Sequence, residues 1–528
     1  MVKKLLTHPL LWLLILGLFL RFYRLDTFPA GFHVDEVKAG WNAYSLFKTG
    51  RDDWLHAFPL HYDTFGDQRP TGFFYTAVPA VAAFGLNEFA VRFTPALFGS
   101  LGIVGIFFFA LFLTKNRQLS LFSAFMFAIS PWQISLSRAS SEGVISSTLI
   151  ILGLALLLKK RSLLALVFLC LSFLFYHTAR ILVPLFVLAI LGCQFFTYSK
   201  VKLSAVAVFV ITFFLTVAFT LSPQAKGRLS QVSIFTDYDT KIEQDRLPFE
   251  EGPGHAFLAR ALHNKVVLYT TKAISEYSQY IGGKFFLAPF EAKPARYQTA
   301  MRSLVLYSEF ALFAAGLVYL LTKKVSPLPL VLLLLAPLPA AITIEDSPNL
   351  HRAFLMSPFF SLIAGLGLFF IKKQFKLIFL LVLLFLILDF SHYTHMYLVH
   401  NPGRDSLTIT RNTGAKELIA AISALPSDKN IYLTNRPDHL YPYFAFYTSQ
   451  DPKLFNPQIA PNKSTAWKFN HIIFSQFRCP SQIIKDQKQV GSIAVDAEGC
   501  TDLSGLTKIT EIKRGGGGIP YTIWTYNP

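Results

Sequence analysis

Apolar residues along this chain gather in long blocks, and the stretches between them alternate between short basic links and long mixed segments. Blocks close to the length that crosses roughly 30 Å of hydrocarbon fall at about 9–23, 92–113, 119–136, 143–158, 162–176, 181–198, 203–221, 303–321, 326–343, 353–371 and 376–391. They predict eleven membrane-spanning helices. A further block, "TGFFYTAVPAVAAFGL" at 71–86, is short, contains Pro79 and breaks the charge pattern if it crosses; it is expected to be a re-entrant or interfacial helix. The opening "MVKKLLTHPLLWLLILGLFLRFYRL" has the basic start of a signal peptide but no small-residue cleavage site before Arg21, so it is expected to stay as a signal anchor.

The links divide by charge. With the N-terminus in the cytosol, the inner connections carry Lys3 and Lys4, Lys115 and Arg117, Lys159 to Arg161, Lys200 and Lys202, Lys323 and Lys324, and Lys372, Lys373 and Lys376, with no Asp or Glu among them. That bias fixes the expected orientation, and places the acids, Glu309 and Asp389 included, on the outer side. The outer side also takes the long segments: loops at 24–91 and 222–302, and a tail beyond 391. In the tail the period shortens. "GAKELIAAISAL" has helical spacing, whereas "KNIYLTN", "NHIIFS", "GSIAVDA", "LTKITEIKR" and "YTIWTYN" read as short strands. The expected organisation is an α-helical polytopic membrane domain over 1–392 and a small extracytoplasmic α/β domain over 393–528.

Composition agrees: 53% of the 528 residues are hydrophobic and 15% charged, with 53 phenylalanines, which excludes an ordinary soluble globule. The net charge of +18 does not imply a nucleic-acid partner, because 14 of the 49 Lys and Arg sit in the inner links as orientation signals. Cys170 and Cys193 lie in apolar blocks, while Cys479 and Cys500 in the tail could form one disulfide if the tail is outside the cytosol.

Candidate chemistry clusters on the outer face. The first loop carries "HVDEVKAGWNAYSLFKTG", "DTFGDQRPTGFFY" and "GLNEFAVRFTPALFGS"; further on come "SPWQISLSRASSEG", "YHTARILVPL" and "EDSPNLHRAFLMSPF". In this order the set resembles the GT-C superfamily of lipid-linked-sugar glycosyltransferases, in particular the protein O-mannosyltransferase and aminoarabinose transferase branch. The matching positions are the Asp35-Glu36 pair, Gly50, the Arg69-Pro70 step, and Gly85 with Glu88 and Arg92. The resemblance covers most of 1–372, and no motif of the tail contributes to it.

The resemblance implies a polyprenyl-phosphate-linked sugar donor in the lipid bilayer, and a protein, glycolipid or wall-polymer acceptor at the outer face of the plasma membrane. Such a transfer needs a base for the acceptor proton and cations for the phosphate leaving group. Asp35 is the implied base, with single displacement and inversion, and Glu36 the residue that orients its neighbours. The bland alternative for the pair is an acidic first turn of a helix, where carboxylates suit the positive helix end. Arg138, Arg180 and Arg352, with His351, sit at outer span boundaries and suit a phosphate; their alternative is snorkelling to lipid headgroups. Asp67 and Arg69 are candidates for sugar or acceptor contacts, though Arg69 stands where relatives keep Lys. Glu142 is a candidate helper carboxylate or a helix cap. Some relatives bind a divalent metal, for which His33, Asp67 and His263 are the candidates, but no tight ligand spacing points to one. Two other classes compete: a transporter or flippase of lipid-linked sugars, which calls for charges inside the spans, and a noncatalytic scaffold, which leaves the outer carboxylates and arginines without a shared purpose.

Overall fold

The computed structural model describes residues 8–64, 67–198, 202–222, 232–323, 325–435, 440–455, 467–475, 478–500 and 503–527. Each apolar block falls mainly on helix, as backbone groups in lipid require. By length and composition, five helices can cross a membrane: Glu88–Thr114, His177–Phe195, Leu203–Thr220, Met356–Gln374 and Lys376–Gly403. A bent pair, Arg117–Ile129 and Pro131–Ser137, makes a sixth, and the remaining apolar helices, among them Pro9–Phe22, Glu142–Leu158 and Tyr307–Thr322, are shorter. The 55° bend has a local cause. Pro131 drives the residue before it out of helical geometry, and Ser130 is extended at ψ 124°. Met356–Gln374 runs through the middle of the bundle, buried along most of its length. It meets Tyr307–Thr322 so closely that a Cβ on Gly316 would lie 1.9 Å from the Ile363 carbonyl oxygen, the small-residue contact that lets membrane helices approach.

The first loop folds on one end of this bundle. Its helix Val34–Thr49 opens with a capping box, in which His33 Nδ1 accepts from Asp35 N–H at 3.1 Å and Glu36 accepts from His33 N–H at 3.1 Å. It stops at Gly50, whose φ of +69° favours glycine. An antiparallel hairpin of β1 (His61–Thr64) and β2 (Asp67–Pro70) follows, then the Pro79-containing helix Gly72–Phe84. The second loop, read from the sequence only as polar, is helical over Tyr238–Glu251, Ala256–Leu262 and Lys265–Ile281.

The tail contains the expected helix, Ala415–Ser423, and the five expected strands: β3 (Ile431–Thr434), β5 (Ile472–Ser475), β6 (Ile493–Ala497), β7 (Leu506–Ile512) and β8 (Tyr521–Tyr526). A sixth, β4 (Trp467–Phe469), was not legible in the sequence. The sheet order is β4-β5-β3-β6-β8-β7, with β5, β3 and β6 parallel and the outer strands antiparallel. Cys479 and Cys500 are joined in a disulfide. One apolar core runs from the first loop into the tail, with Phe32, Trp41 and Val91 in the same cluster as Ile419, Tyr443 and Phe446. Tyr443 OH donates to the Phe32 carbonyl at 2.7 Å.

Candidate active site

A cleft of about 290 Å³ opens between the first loop, the turn after the bent helix pair, the end of the second loop and the segment before Met356–Gln374. Each contributes side chains for a local reason. The capping box fixes the start of Val34–Thr49 and so holds Asp35 at the cleft wall. The hairpin carries Arg69 across to it, and Arg69 Nη1 lies 3.2 Å from Asp35 Oδ2. Arg296, from the end of the second loop, reaches the same oxygen at 3.1 Å. Burial alone would raise the Asp35 carboxyl, but Arg69, His33 and Arg296 outweigh it and hold the group below the usual carboxylate range.

His33 and His351 are neutral here. Burial first, then Arg296, pushes His33 down to about 3, and burial with Arg296 and Arg69 does the same to His351. His351 therefore brings no charge to the cleft, and its Nδ1 lies 3.4 Å from the Tyr176 hydroxyl. Its Nε2 lies 2.9 Å from Ser141 Oγ, and its ring packs between Tyr176 and Tyr297. Arg352 also lines the cleft, donating to Thr343 Oγ1 at 2.9 Å and the Glu345 carbonyl at 2.8 Å while pairing with the Glu345 carboxylate. Glu142, the first residue of Glu142–Leu158, completes the wall.

Glu36 lies behind Asp35, 3% exposed, and does not line the cleft. Arg92 Nε reaches its Oε1 at 3.0 Å, Arg411 of the tail pairs with its Oε2, and Ser140 N–H donates to Oε1 at 3.2 Å. Burial opposes the charge, yet Arg411 and Arg92 bring the carboxyl down to about 2.

The structure gathers Asp35, Arg69, Glu142, His351 and Arg352 in the cleft, and leaves two expected phosphate ligands outside it. Arg138 is 2% exposed and donates to the carbonyls of Leu20 at 2.9 Å, Tyr23 at 2.7 Å and Phe28 at 3.2 Å, so its guanidinium staples the turn after the first helix. Arg180 donates to the Phe173 carbonyl at 3.2 Å and lies over the Phe219 ring. Of the metal candidates, His33 and His263 are engaged elsewhere. His33 lies against Asp35 and Arg296, and His263 pairs with Glu251 in the second loop at 2.6 Å. Among the described residues, no three His, Cys, Asp or Glu side chains group to hold an ion. Asp67 stands in β2, and its side chain lies outside the described residues. Sequence reasoning missed Arg296 and Tyr297. The rule that singles out arginines on the outer face applies to Arg296 as well and would have found it; it applies to Arg411 too, but no motif of the tail joined that residue to the first loop.

No family model matches the sequence, and no curated protein matches it. Solved structures do resemble it. ArnT from Cupriavidus metallidurans bound to undecaprenyl phosphate aligns with a TM-score of 0.54 at 12% identity, over 98% of this chain and 99% of that one. The same protein in the apo state gives a TM-score of 0.51 at 13% identity, over 98% of each chain. The archaeal oligosaccharyltransferase AglB from Archaeoglobus fulgidus, in complex with an inhibitory peptide and a dolichol-phosphate, is a looser likeness, with a TM-score of 0.47 at 11% identity. It covers 84% of this chain, which spans 63% of the AglB chain, and no argument rests on it. Identities this low speak for the fold and not for the reaction. End to end, the chain has the fold of ArnT.

Proposed function

We propose that this protein is an inverting membrane glycosyltransferase that moves a sugar from a polyprenyl-phosphate donor to a hydroxyl acceptor at the outer face of a plasma membrane. The observation that carries the reading is the single cleft in which Asp35 stands between Arg69 and Arg296, with Glu142, His351 and Arg352 around it. The ArnT fold, solved elsewhere with undecaprenyl phosphate, supports a lipid-phosphate donor. In this reading the N-terminus is cytoplasmic, the chain crosses the membrane eleven times and the tail over 393–528 is an α/β domain on the outer side.

The acceptor oxygen attacks the anomeric carbon as its proton passes to Asp35. The bond from that carbon to the phosphate oxygen breaks, and the phosphate leaves with the electron pair onto Arg69, Arg296 and Arg352. The two arginines that keep Asp35 ionised also weaken it as a base. A donor phosphate arriving in the cleft competes for those guanidiniums and raises the basicity of the carboxylate when the acceptor is present. Glu36 and Arg411 act behind this step by fixing where Asp35 stands. The transporter reading lacks comparable support: Asp389 is tied to Arg302 and Ser308, and Glu309 accepts from Ser361 through Oε1, with Oε2 unbonded among the described residues.

The test is turnover of purified protein in detergent with a panel of polyprenyl-phosphate sugars, comparing wild type with Asp35→Asn. A general base contributes about 10²- to 10⁴-fold, so consumption of the accepted donor is expected to fall by at least about a hundredfold. Equal turnover by the two proteins removes Asp35 from the role.

A further inference from the structure

The second loop turns apolar surface outward. In its helix Lys265–Ile281 the exposed positions recur at helical spacing, and they are Val266, Val267, Ile274 and Ile281 with only threonine and serine among them. From Val266 to Ile281 no charged residue stands on that face. The charges point the other way. Lys272 Nζ lies 3.3 Å from Glu276 Oε1 and 3.9 Å from Asp237 Oδ2, and the buried Glu276 carboxylate accepts from Gln279 Nε2 at 2.9 Å and from the Ser347 hydroxyl. A helix on the surface of a protein in water has the opposite arrangement, with its apolar stripe inward and its charges outward.

The exposure matches that of residues in a span. Val266 is 75% exposed and Ile274 63%, against 66% for Phe214 in the membrane-length helix Leu203–Thr220. The chain before the helix adds Phe249, Phe257 and Leu262, all exposed. Large apolar residues left this open mark contact with a protein or a membrane, and the attachment of the helix favours the membrane. Tyr277 OH donates to the Leu334 carbonyl at 2.8 Å, and Leu334 and Leu338, in an apolar block of the bundle, are themselves exposed. The loop helix is thus fastened beside bare leucines of the bundle, and its exposed face extends their apolar surface. A protein partner finds less to recognise there, because the face offers aliphatic side chains and small hydroxyls, whereas protein interfaces are enriched in aromatic residues and Arg.

We propose that helix Lys265–Ile281 is seated in the membrane, with Val266, Ile274 and Ile281 against the acyl chains at the edge of the bilayer, as amphipathic helices lie in an interface. This holds whatever reaction the cleft performs. The buried side of the same helix reaches the cleft: Asn349 N–H donates to Tyr280 OH at 2.9 Å, and Asn349 lines the cleft with His351 and Arg352. Lipid on one side of the helix therefore steadies a wall of the cleft on the other.

The experiment is fluorescence quenching of the full-length protein reconstituted into vesicles of phosphatidylethanolamine and phosphatidylglycerol. In a Cys170→Ser, Cys193→Ser background a single bimane label is attached at Val266→Cys, Ile274→Cys, Phe214→Cys or Lys508→Cys; Cys479 and Cys500 are joined and do not react. Phe214 reports the lipid-facing side of a span, and Lys508, exposed on β7, reports water. Phospholipid brominated in its acyl chains is expected to quench the labels at Val266→Cys and Ile274→Cys about as strongly as at Phe214→Cys, while iodide on both sides of the vesicle quenches only Lys508→Cys. Iodide quenching at Val266→Cys and Ile274→Cys equal to that at Lys508→Cys, with no effect of the brominated lipid, places the face in water and overturns the proposal. Shielding from both quenchers means that protein, such as a second copy of the chain, covers the face, and overturns it equally. If one labelled variant fails to reconstitute, the other decides.

Discussion

Asp35 Oδ2 is shared by two guanidiniums from different loops, so the charge that matters most in the cleft is balanced before any substrate arrives. Changing Arg296 to Lys keeps that balance but loses the planar fork. Because hydrogen bonds to charged groups are worth about 1.5–3 kcal/mol, kcat/KM for Arg296→Lys is expected to drop by about ten- to hundredfold, measured on the same donor as wild type. His351 supplies a pH signature. Its folded pKa of about 3 lies below the ordinary 6.5, so below pH 6.5 the unfolded chain binds a proton that the folded chain refuses. Stability is thus lost as pH falls from about 6.5 towards 3, on the order of 2 kcal/mol from this group at pH 5. The unfolding temperature of His351→Gln is expected to fall less between pH 7 and pH 5 than that of wild type; equal slopes would show that His351 titrates normally. Asp35, Arg69, Glu142, His351 and Arg352 were legible because they lie in motifs on one face. Arg138 and Arg180 were legible as outer arginines, but sequence could not tell that nearby carbonyls, of Leu20, Tyr23 and Phe173, would occupy their donors.

Elements were read well where physics leaves one choice. Apolar blocks in lipid must close their hydrogen bonds as helix, and Ile431–Thr434 or Ile493–Ala497 show β-branched runs that fit a buried sheet. Trp467–Phe469 escaped because three residues with a central Lys468 show no usable alternation. Tyr238–Glu251 and Ala256–Leu262 of the second loop escaped because they expose large apolar residues such as Phe249 and Phe257, so no single buried face marks them, whereas Lys265–Ile281 is amphipathic and its period was there to be read. The disulfide tests the tail as an element. It closes a loop with a separation of 21 residues, which corresponds to about 3 kcal/mol of chain entropy. Cys479→Ser is expected to expose the tail to limited proteolysis at a lower temperature than wild type, while fragments from the membrane helices remain intact.

At the scale of the whole molecule, the division between membrane part and tail, plain in the composition, is blurred in the fold. Residues from both ends share one core, and a carboxylate of the first loop is neutralised by a guanidinium of the tail. Removing one partner of a buried pair typically costs about 3–5 kcal/mol. Arg411→Ala is therefore expected to lower both the unfolding temperature and turnover, and the double variant with Glu36→Gln to fall short of the sum of the two single changes. Additive losses would mean that the pair does not couple the two regions.

That pair also sets an order of events during synthesis. Arg411 follows Glu36 by 375 residues, an interval of about 20 to 75 s at ordinary translation speeds of about 5–20 residues per second. For that time the helix bearing Asp35 has only Arg92 to balance its second acid, and the wall it forms stays unbraced. The loop bearing Asp35 is among the first segments made and among the last to be fixed, so a chain arrested before its tail has spans in the membrane and no finished cleft.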